Sequence, residues 1–225
     1  MEPNLQYNFA EPGAVSVRIA SAMRQRMFAR FMRELVPKEN ETVLDIGVTA
    51  DETYESSNYF EALYPYKHRI VAAGTDDAAF LERKYPGVKF QHADACALPF
   101  TDRSFDLVHS SAVWEHVGGE QNQARMLSEC LRVARRGVFL TTPNRWFPIE
   151  FHTRLPLLHW LPKPIFRAIL SKTPYAALAN EAHLNLLTPA DVRRFTRRHS
   201  EWNFDIRAVR LVGWPSNILL VAKRL

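Results

Sequence analysis

Between residues 14 and 36 apolar side chains recur four apart, at Val15, Ile19, Met23, Met27, Phe31 and Leu35, with arginines between them. That spacing is one face of an α-helix, and Pro37 closes it. A leading helix is therefore predicted within residues 1–40. Five short apolar runs follow, "TVLDIG", "RIVAAG", "VKFQHA", "SFDLVHSS" and "GVFLTT", each of strand length. The segments between them, such as residues 121–134, have the pattern for helices. This alternation predicts an α/β fold, a doubly wound, mostly parallel sheet with helices on both faces. Near the end "NFDIRAVRLV" and "SNILLVAK" flank the turn residues "GWP", which predicts a hairpin and an antiparallel last strand. Thr188 and Asp191 in "TPAD" have the spacing of a helix-capping pair.

Between the fifth run and His183 the pattern changes to a Pro- and aromatic-rich stretch without strand periodicity. Residues 144–182 are read as an insertion of short helices over one edge of the sheet. With 225 residues and 47% apolar composition, the chain suits one domain, residues 1–225, with a substantial core. The formal charge of +5 comes from arginines spread through helical stretches, the pattern of solvated helix faces rather than of a nucleic-acid footprint. "TTPN" at residues 141–144 also lacks the acid/amide-Pro-Pro-aromatic signature of adenine-N6 methylation, so no nucleic-acid partner is expected. Cys96 and Cys130 are too few for a disulfide framework, and "MEPNLQYNFAEPG" lacks the character of a signal peptide. The greasiest segment is broken by Pro156, Pro162 and Pro164. A soluble, cytoplasmic protein is the expectation.

In open α/β sheets ligands sit beyond the carboxyl ends of the strands, and here most runs stop at acids. Asp45 lies in the first run, Asp76 and Asp77 follow the second, Asp94 ends the third, and Glu115 with His116 follows the fourth. An acid after the second strand suits a ribose diol, and Asp94 suits an adenine amino group. The first turn, "VLDIGVTADETYESSNYF", has few of the glycines that close a backbone on a diphosphate. Asp45, Asp51, Glu52 and Glu55 cluster there with no Lys or Arg, a field that repels a diphosphate and tolerates a cation. A nicotinamide-dependent dehydrogenase is disfavoured. A sulfonium cofactor with an amino-acid tail fits.

"VLDIG", "GTDD", "HADACALPFTDRSFDLVHSSAVWEHV" and the terminal hairpin resemble the class I S-adenosylmethionine-dependent methyltransferases, especially the type 11 group. The resemblance implies a seven-stranded, Rossmann-like sheet with a reversed last strand, and S-adenosylmethionine as cofactor. It implies Asp45 and Gly47 as the floor of the methionine site, Asp76 as the ribose ligand, Asp94 with Ala95 as the adenine contacts, and Ser111 near the sulfonium. The chain departs from the family at residues 48–51, "VTAD", where a Gly-rich run is usual. Two readings stay open: a methyltransferase, or a non-catalytic binding module or partner subunit of the same fold.

For the acceptor side, His116, His152 and His183 are the candidate catalytic residues, since histidine titrates near neutrality and a base helps where the acceptor must lose a proton. No metal site is assigned. The insertion concentrates Trp146, Phe147, Phe151, Trp160 and Phe166 around Glu150 and His152. Loops beyond strand ends are where substrate lids are built, so a small, partly hydrophobic acceptor is expected, whether a metabolite, a lipid-like compound or a sugar-containing one. The same stretch, with Arg154, Lys163 and Arg167, also suits peripheral contact with a membrane surface.

Overall fold

A computed structural model describes residues 14–54 and 56–225; the first thirteen residues and Glu55 lie outside the description. All seven expected strands form: β1 (Val43–Ile46), β2 (Ile70–Gly74), β3 (Lys89–His92), β4 (Phe105–Ser111), β5 (Ala134–Pro143), β6 (Trp202–Leu211) and β7 (Trp214–Arg224). They make one sheet in the order β3-β2-β1-β4-β5-β7-β6. β1 pairs in parallel with β2 and β4, β2 with β3, and β4 with β5. β7 alone is reversed, antiparallel to both β5 and β6. The hairpin turns at Val212 and Gly213, whose φ values of 49 and 82 give the paired left-handed geometry that matches strand twist.

Helices cover both faces. Met23, Met27, Phe31 and Leu35 of α1 (Val15–Leu35), with Phe60 of α2 (Tyr59–Leu63) and Leu81 of α3 (Phe80–Lys84), pack on Val43, Leu107 and Phe139. Met126, Leu127 and Cys130 of α4 (Glu120–Val133), with Val192 and Phe195 of α6 (Pro189–Thr196), pack on Leu44, Val108 and Leu140. Successive strand residues thus serve opposite layers, the two-residue period of a strand buried on both sides. Edge strand β3 is instead mostly exposed, in keeping with its polar Lys-Phe-Gln-His.

The leading helix ends on a built cap. Val36 takes a left-handed conformation and its N–H donates to the Met32 carbonyl. Arg136 of β5 donates from Nη1 to the Leu35 carbonyl at 2.7 Å and grips both carboxylate oxygens of Glu41 at 2.7 and 2.8 Å. Beside it Gly137 leaves the space that Leu35 occupies: a Cβ there would stand 2.9 Å from Leu35 Cδ2 and 3.1 Å from Leu107 Cδ2. The helix α6 begins as expected, with Thr188 and Asp191 bonded reciprocally.

The insertion lies between β5 and α6. It contains a 3-10 turn at Leu158–Trp160, α5 (Lys163–Leu170) and a second turn at Ala176–Ala179, with an apolar cluster of its own formed by Phe166, Leu170, Leu178, Leu184 and Leu186. Among the described residues no helix is long and apolar enough to cross a membrane.

The packing of α1 on β5 makes a prediction. Gly137→Val should destabilise the protein by about 1–3 kcal/mol in chemical denaturation, the usual cost of forcing extra methyls into a filled core. Leu35→Ala in the same chain should recover part of that loss, giving a coupling well above about 0.5 kcal/mol. Strictly additive costs would show that Leu35 and Gly137 do not share that space.

Candidate functional site

A cleft of about 1010 Å³ opens at the carboxyl ends of β1, β2 and β4, where the strand order reverses between β1 and β4. Its floor includes Gly47, Asp76, Asp94 and Ser111, and α1 and the insertion wall it from above.

The turn after β1 is not loose despite its few glycines. Gly47 has φ of 98, and a Cβ there would fall 1.9 Å from Val113 Cγ2, so no other residue fits. Its N–H donates to the Ala73 carbonyl at 2.7 Å. The second glycine comes from β2: a Cβ on Gly74 would lie 2.5 Å from the Val48 carbonyl oxygen. Beyond Val48, side chains hold the backbone. Asn58 accepts from the Thr49 N–H and donates to the Thr49 carbonyl, both at 3.0 Å. Asp51 accepts from the Thr53 N–H at 2.8 Å and from the Ser57 hydroxyl. The field of the turn is also less one-sided than the local sequence implies, because α1 brings Arg24 to the cleft wall, where it donates to Ser56 Oγ at 2.8 Å.

Asp45 corrects the expectation that it floors the methionine site. It does not line the cleft; it faces the layer under α1 and α2, where it accepts from Nδ1 of His109 on β4. The His109 ring is stacked on Phe60, centroids 4.2 Å apart. Burial pushes the Asp45 carboxyl up to about 7 and the His109 imidazole down to about 3, and burial likewise raises Glu61 beside them. The strand's two-residue alternation explains the miss: Asp45 sits two residues before Gly47, within the paired part of β1, and points into the core.

The other strand-end positions meet in the cleft. Asp76 lines it, whereas Asp77 turns away to accept from the Ala79 N–H at 3.1 Å. Asp94 lines it while one carboxylate oxygen accepts from the Cys96 N–H at 2.8 Å, and Ala95 is buried beside it. Ser111 accepts from Thr141 Oγ1 at 2.9 Å.

Toward the insertion the cleft ends in a chain of titratable groups. His152 Nδ1 donates to Glu150 at 2.6 Å, and its Nε2 stands 3.0 Å from Nε2 of His116. His116 Nδ1 donates to the His183 carbonyl at 2.6 Å. Burial works against the Glu150 carboxylate, but His152 and the backbone N–H groups of His152 and Thr153 outweigh it and hold it at about 2. Burial lowers His152, yet Glu150 outweighs that and raises it above the ordinary histidine value. Burial, reinforced by His152, pushes His116 down to about 3, and burial pushes Glu115 up to about 7. His183 contributes only its carbonyl: its ring donates to the Ala177 carbonyl at 3.0 Å and does not line the cleft, which removes it from the catalytic candidates. Trp146 is likewise corrected as an acceptor contact, being 46% exposed beside Arg145, outside the cleft. Phe147 and Phe151 line it, stacked with centroids 5.1 Å apart.

Arg24 and Asn58 are the site residues that sequence reading missed. A faint signal existed for Arg24: Ser16, Ala20 and Arg24 recur four apart on α1, offset by one residue from the apolar stripe, and all line the cleft.

Residues 56–142 match the family described as a methyltransferase domain. Over 81 residues the chain is 41% identical to a Mycolicibacterium smegmatis protein named "Probable S-adenosylmethionine-dependent methyltransferase", covering 34% of this chain and 30% of that one. A Mycobacterium tuberculosis protein of the same name is 35% identical over 98 residues, 38% of this chain and 35% of the relative. The matches thus span about a third of these relatives. Among solved structures, a SAM-dependent methyltransferase from Methanosarcina mazei superposes with a TM-score of 0.58 at 16% identity, covering 87% of this chain and 97% of that one. Magnesium protoporphyrin IX methyltransferase from Synechocystis, solved with bound SAH, gives 0.61 at 14% identity over 98% and 91% of the two chains. The strand order and the superpositions show the fold of these solved methyltransferases, and within it residues 56–142 carry the match to the methyltransferase-domain family.

Proposed function

We propose that this protein transfers a methyl group from S-adenosylmethionine to a small, partly hydrophobic acceptor held under the insertion. One observation carries the reading: Gly47, Asp76, Asp94 and Ser111, from four separate strand ends, open into a single cleft that continues to Phe147, Phe151 and His152. The cofactor, when bound, supplies a methyl group on a sulfonium. The residues present suit it. Asp76 can accept from ribose hydroxyls, Asp94 from an adenine amino group, and Arg24 can pair with the carboxylate of the amino-acid tail. Gly47 and Gly74 keep the floor free of side chains where the backbones cross. Transfer of this kind needs proximity, alignment and exclusion of water, and the insertion's aromatic pair provides an apolar wall for the acceptor.

The rival reading, a non-catalytic module, rested on the glycine-poor turn. The bonds from Asn58 and Asp51 speak against it, because they order the backbone that glycines would otherwise shape.

S-adenosylhomocysteine should bind and raise the melting temperature, since a ligand of the native state stabilises it by mass action. Asp76→Ala should lose roughly 1–3 kcal/mol of that binding in calorimetry, and Asn58→Ala should lose affinity through disorder of the turn. No thermal shift at millimolar ligand would favour the non-catalytic module.

On the acceptor side, Phe151→Ala should lower kcat/KM by up to a few kcal/mol while S-adenosylhomocysteine affinity stays within about threefold. Trp146→Ala should change neither. A screen of phenolic, lipid and sugar extracts for a gain of one methyl by mass spectrometry provides the acceptor. Equal loss of cofactor affinity and turnover in Phe151→Ala would make the insertion structural rather than selective.

A further inference from the structure

The two imidazoles at the acceptor end pose an electrostatic problem. Nδ1 of His116 faces the His183 carbonyl and Nδ1 of His152 faces the Glu150 carboxylate, each at 2.6 Å. Both partners only accept, so both Nδ1 atoms carry hydrogen. Each neutral ring then presents a lone pair at Nε2, and these two atoms are 3.0 Å apart. Something positive has to lie between them. A shared proton would serve that axis alone. Glu115 adds a third donor: it is fully buried, Oε2 accepts from Thr142 Oγ1 at 2.8 Å, and Oε1 has no hydrogen-bond partner among the described residues. Oε1 stands 3.8 Å from His116 Nε2, and the three donor atoms all lie within 4.8 Å of one another.

We propose that Glu115, His116 and His152 bind one divalent transition-metal ion of the zinc class, with an open coordination position facing the acceptor end of the cleft. Bonds of about 2.0–2.2 Å to nitrogen and oxygen bring tetrahedral ligands to separations of roughly 3–4 Å, and the 3.0 and 3.8 Å spacings are of that size. Two imidazoles and one carboxylate are a donor set for zinc, cobalt or manganese rather than for magnesium or calcium, which take oxygen. The outer contacts are of the kind that orient metal ligands: a carboxylate on one imidazole, a carbonyl on the other and a hydroxyl on the carboxylate. Three protein ligands leave a position free, and all three line the cleft. Glu115 and His116 belong to the turn after β4 and His152 to the insertion, so the ion also ties the insertion to the sheet. Resting on the methyltransferase reading, the free position selects acceptors with a hydroxyl or carboxylate oxygen, which the ion would hold and polarise.

The full chain, stripped with a chelator, would be titrated with Zn2+ by calorimetry and with Co2+ by visible absorption, and separately with S-adenosylhomocysteine. One equivalent of either metal should bind, with a cobalt spectrum of low coordination number and no thiolate band. Glu115→Gln, which keeps the shape of the site, and His152→Ala should each weaken binding at least tenfold. Glu150→Gln, which touches the ion only through His152, should weaken it by about 10- to 100-fold. Absence of stoichiometric uptake by the wild type overturns the proposal in favour of a shared proton; unchanged affinity in both ligand variants overturns it by placing the ion elsewhere. Metal uptake without S-adenosylhomocysteine binding would sink the methyltransferase reading alone, and the reverse result would sink the metal site alone.

Discussion

The crossing of backbones at the end of β1 constrains everything built around it. Gly47 and Val48 both donate to the Ala73 carbonyl, the Val48 oxygen rests where a Cβ of Gly74 would be, and Val113 covers Gly47. This close approach holds the ends of β1 and β2 and the loop after β4 in one compact corner. The cleft exists because the chains diverge from that corner. β1 leads toward the Asn58-bound turn, β2 toward Asp76, and the loop after β4 toward Glu115 and His116. A side chain at either glycine would push apart the backbones that meet at this corner.

Two buried acid–histidine pairs flank this corner, and their different chemistry comes from hydrogen-bond supply. Asp45 and His109 lie in the core between α1 and the sheet, and burial drives both toward their neutral forms. Glu150 is as deeply buried, but two backbone N–H groups and His152 converge on it, so it keeps its charge. Burial alone raises a carboxylate, and donors aimed at both oxygens reverse the outcome. The first pair is thus a packed, neutral element under the cleft, with His109 enclosed by Phe31, Phe60 and Phe139. The second places an ionised acid behind a histidine that faces the cleft.

The periodic parts of the fold were legible in the sequence because burial on both faces leaves its mark on every residue of a strand. All seven runs became strands, and the stripe from Met23 to Leu35 became the docking face of α1. At the site, legibility followed whether a residue's role depended on local or distant partners. Asp76, Asp94, Gly47 and Ser111 reach the cleft because strand ends must. Asp45 has the same composition signal but sits inside the ladder, where alternation sends it to the core. Arg24 lies far before the "VTAD" turn in sequence and Asn58 lies past it, so the turn seemed acidic and slack when read alone. His183 and Trp146 show the converse. Their residue types suggest chemistry, while a carbonyl is all that His183 supplies and Trp146 faces outward.

The insertion departs most from the sequence expectation of a simple cover. Its return segment is bonded into the body of the domain: the Asn185 N–H donates to the Glu115 carbonyl at 2.7 Å, and Gln123 of α4 donates to the Asn185 carbonyl at 2.7 Å. Lys163 of α5 donates to the Asn185 side chain at 2.6 Å, and the His183 carbonyl accepts from His116. The bonds to Glu115, Gln123 and His116 join the return segment to the turn after β4 or to the helix beyond it, and the Lys163 bond ties α5 to that segment. Opening that side would leave several backbone groups without partners, at about 1–3 kcal/mol for each one left unsatisfied. The return segment is therefore a fixed wall that orients His116 and presents Glu115, and the stacked Phe147 and Phe151 complete the apolar side. This end of the cleft is thus a built pocket whose shape is set by bonded backbone, with His116 and His152 lining its end.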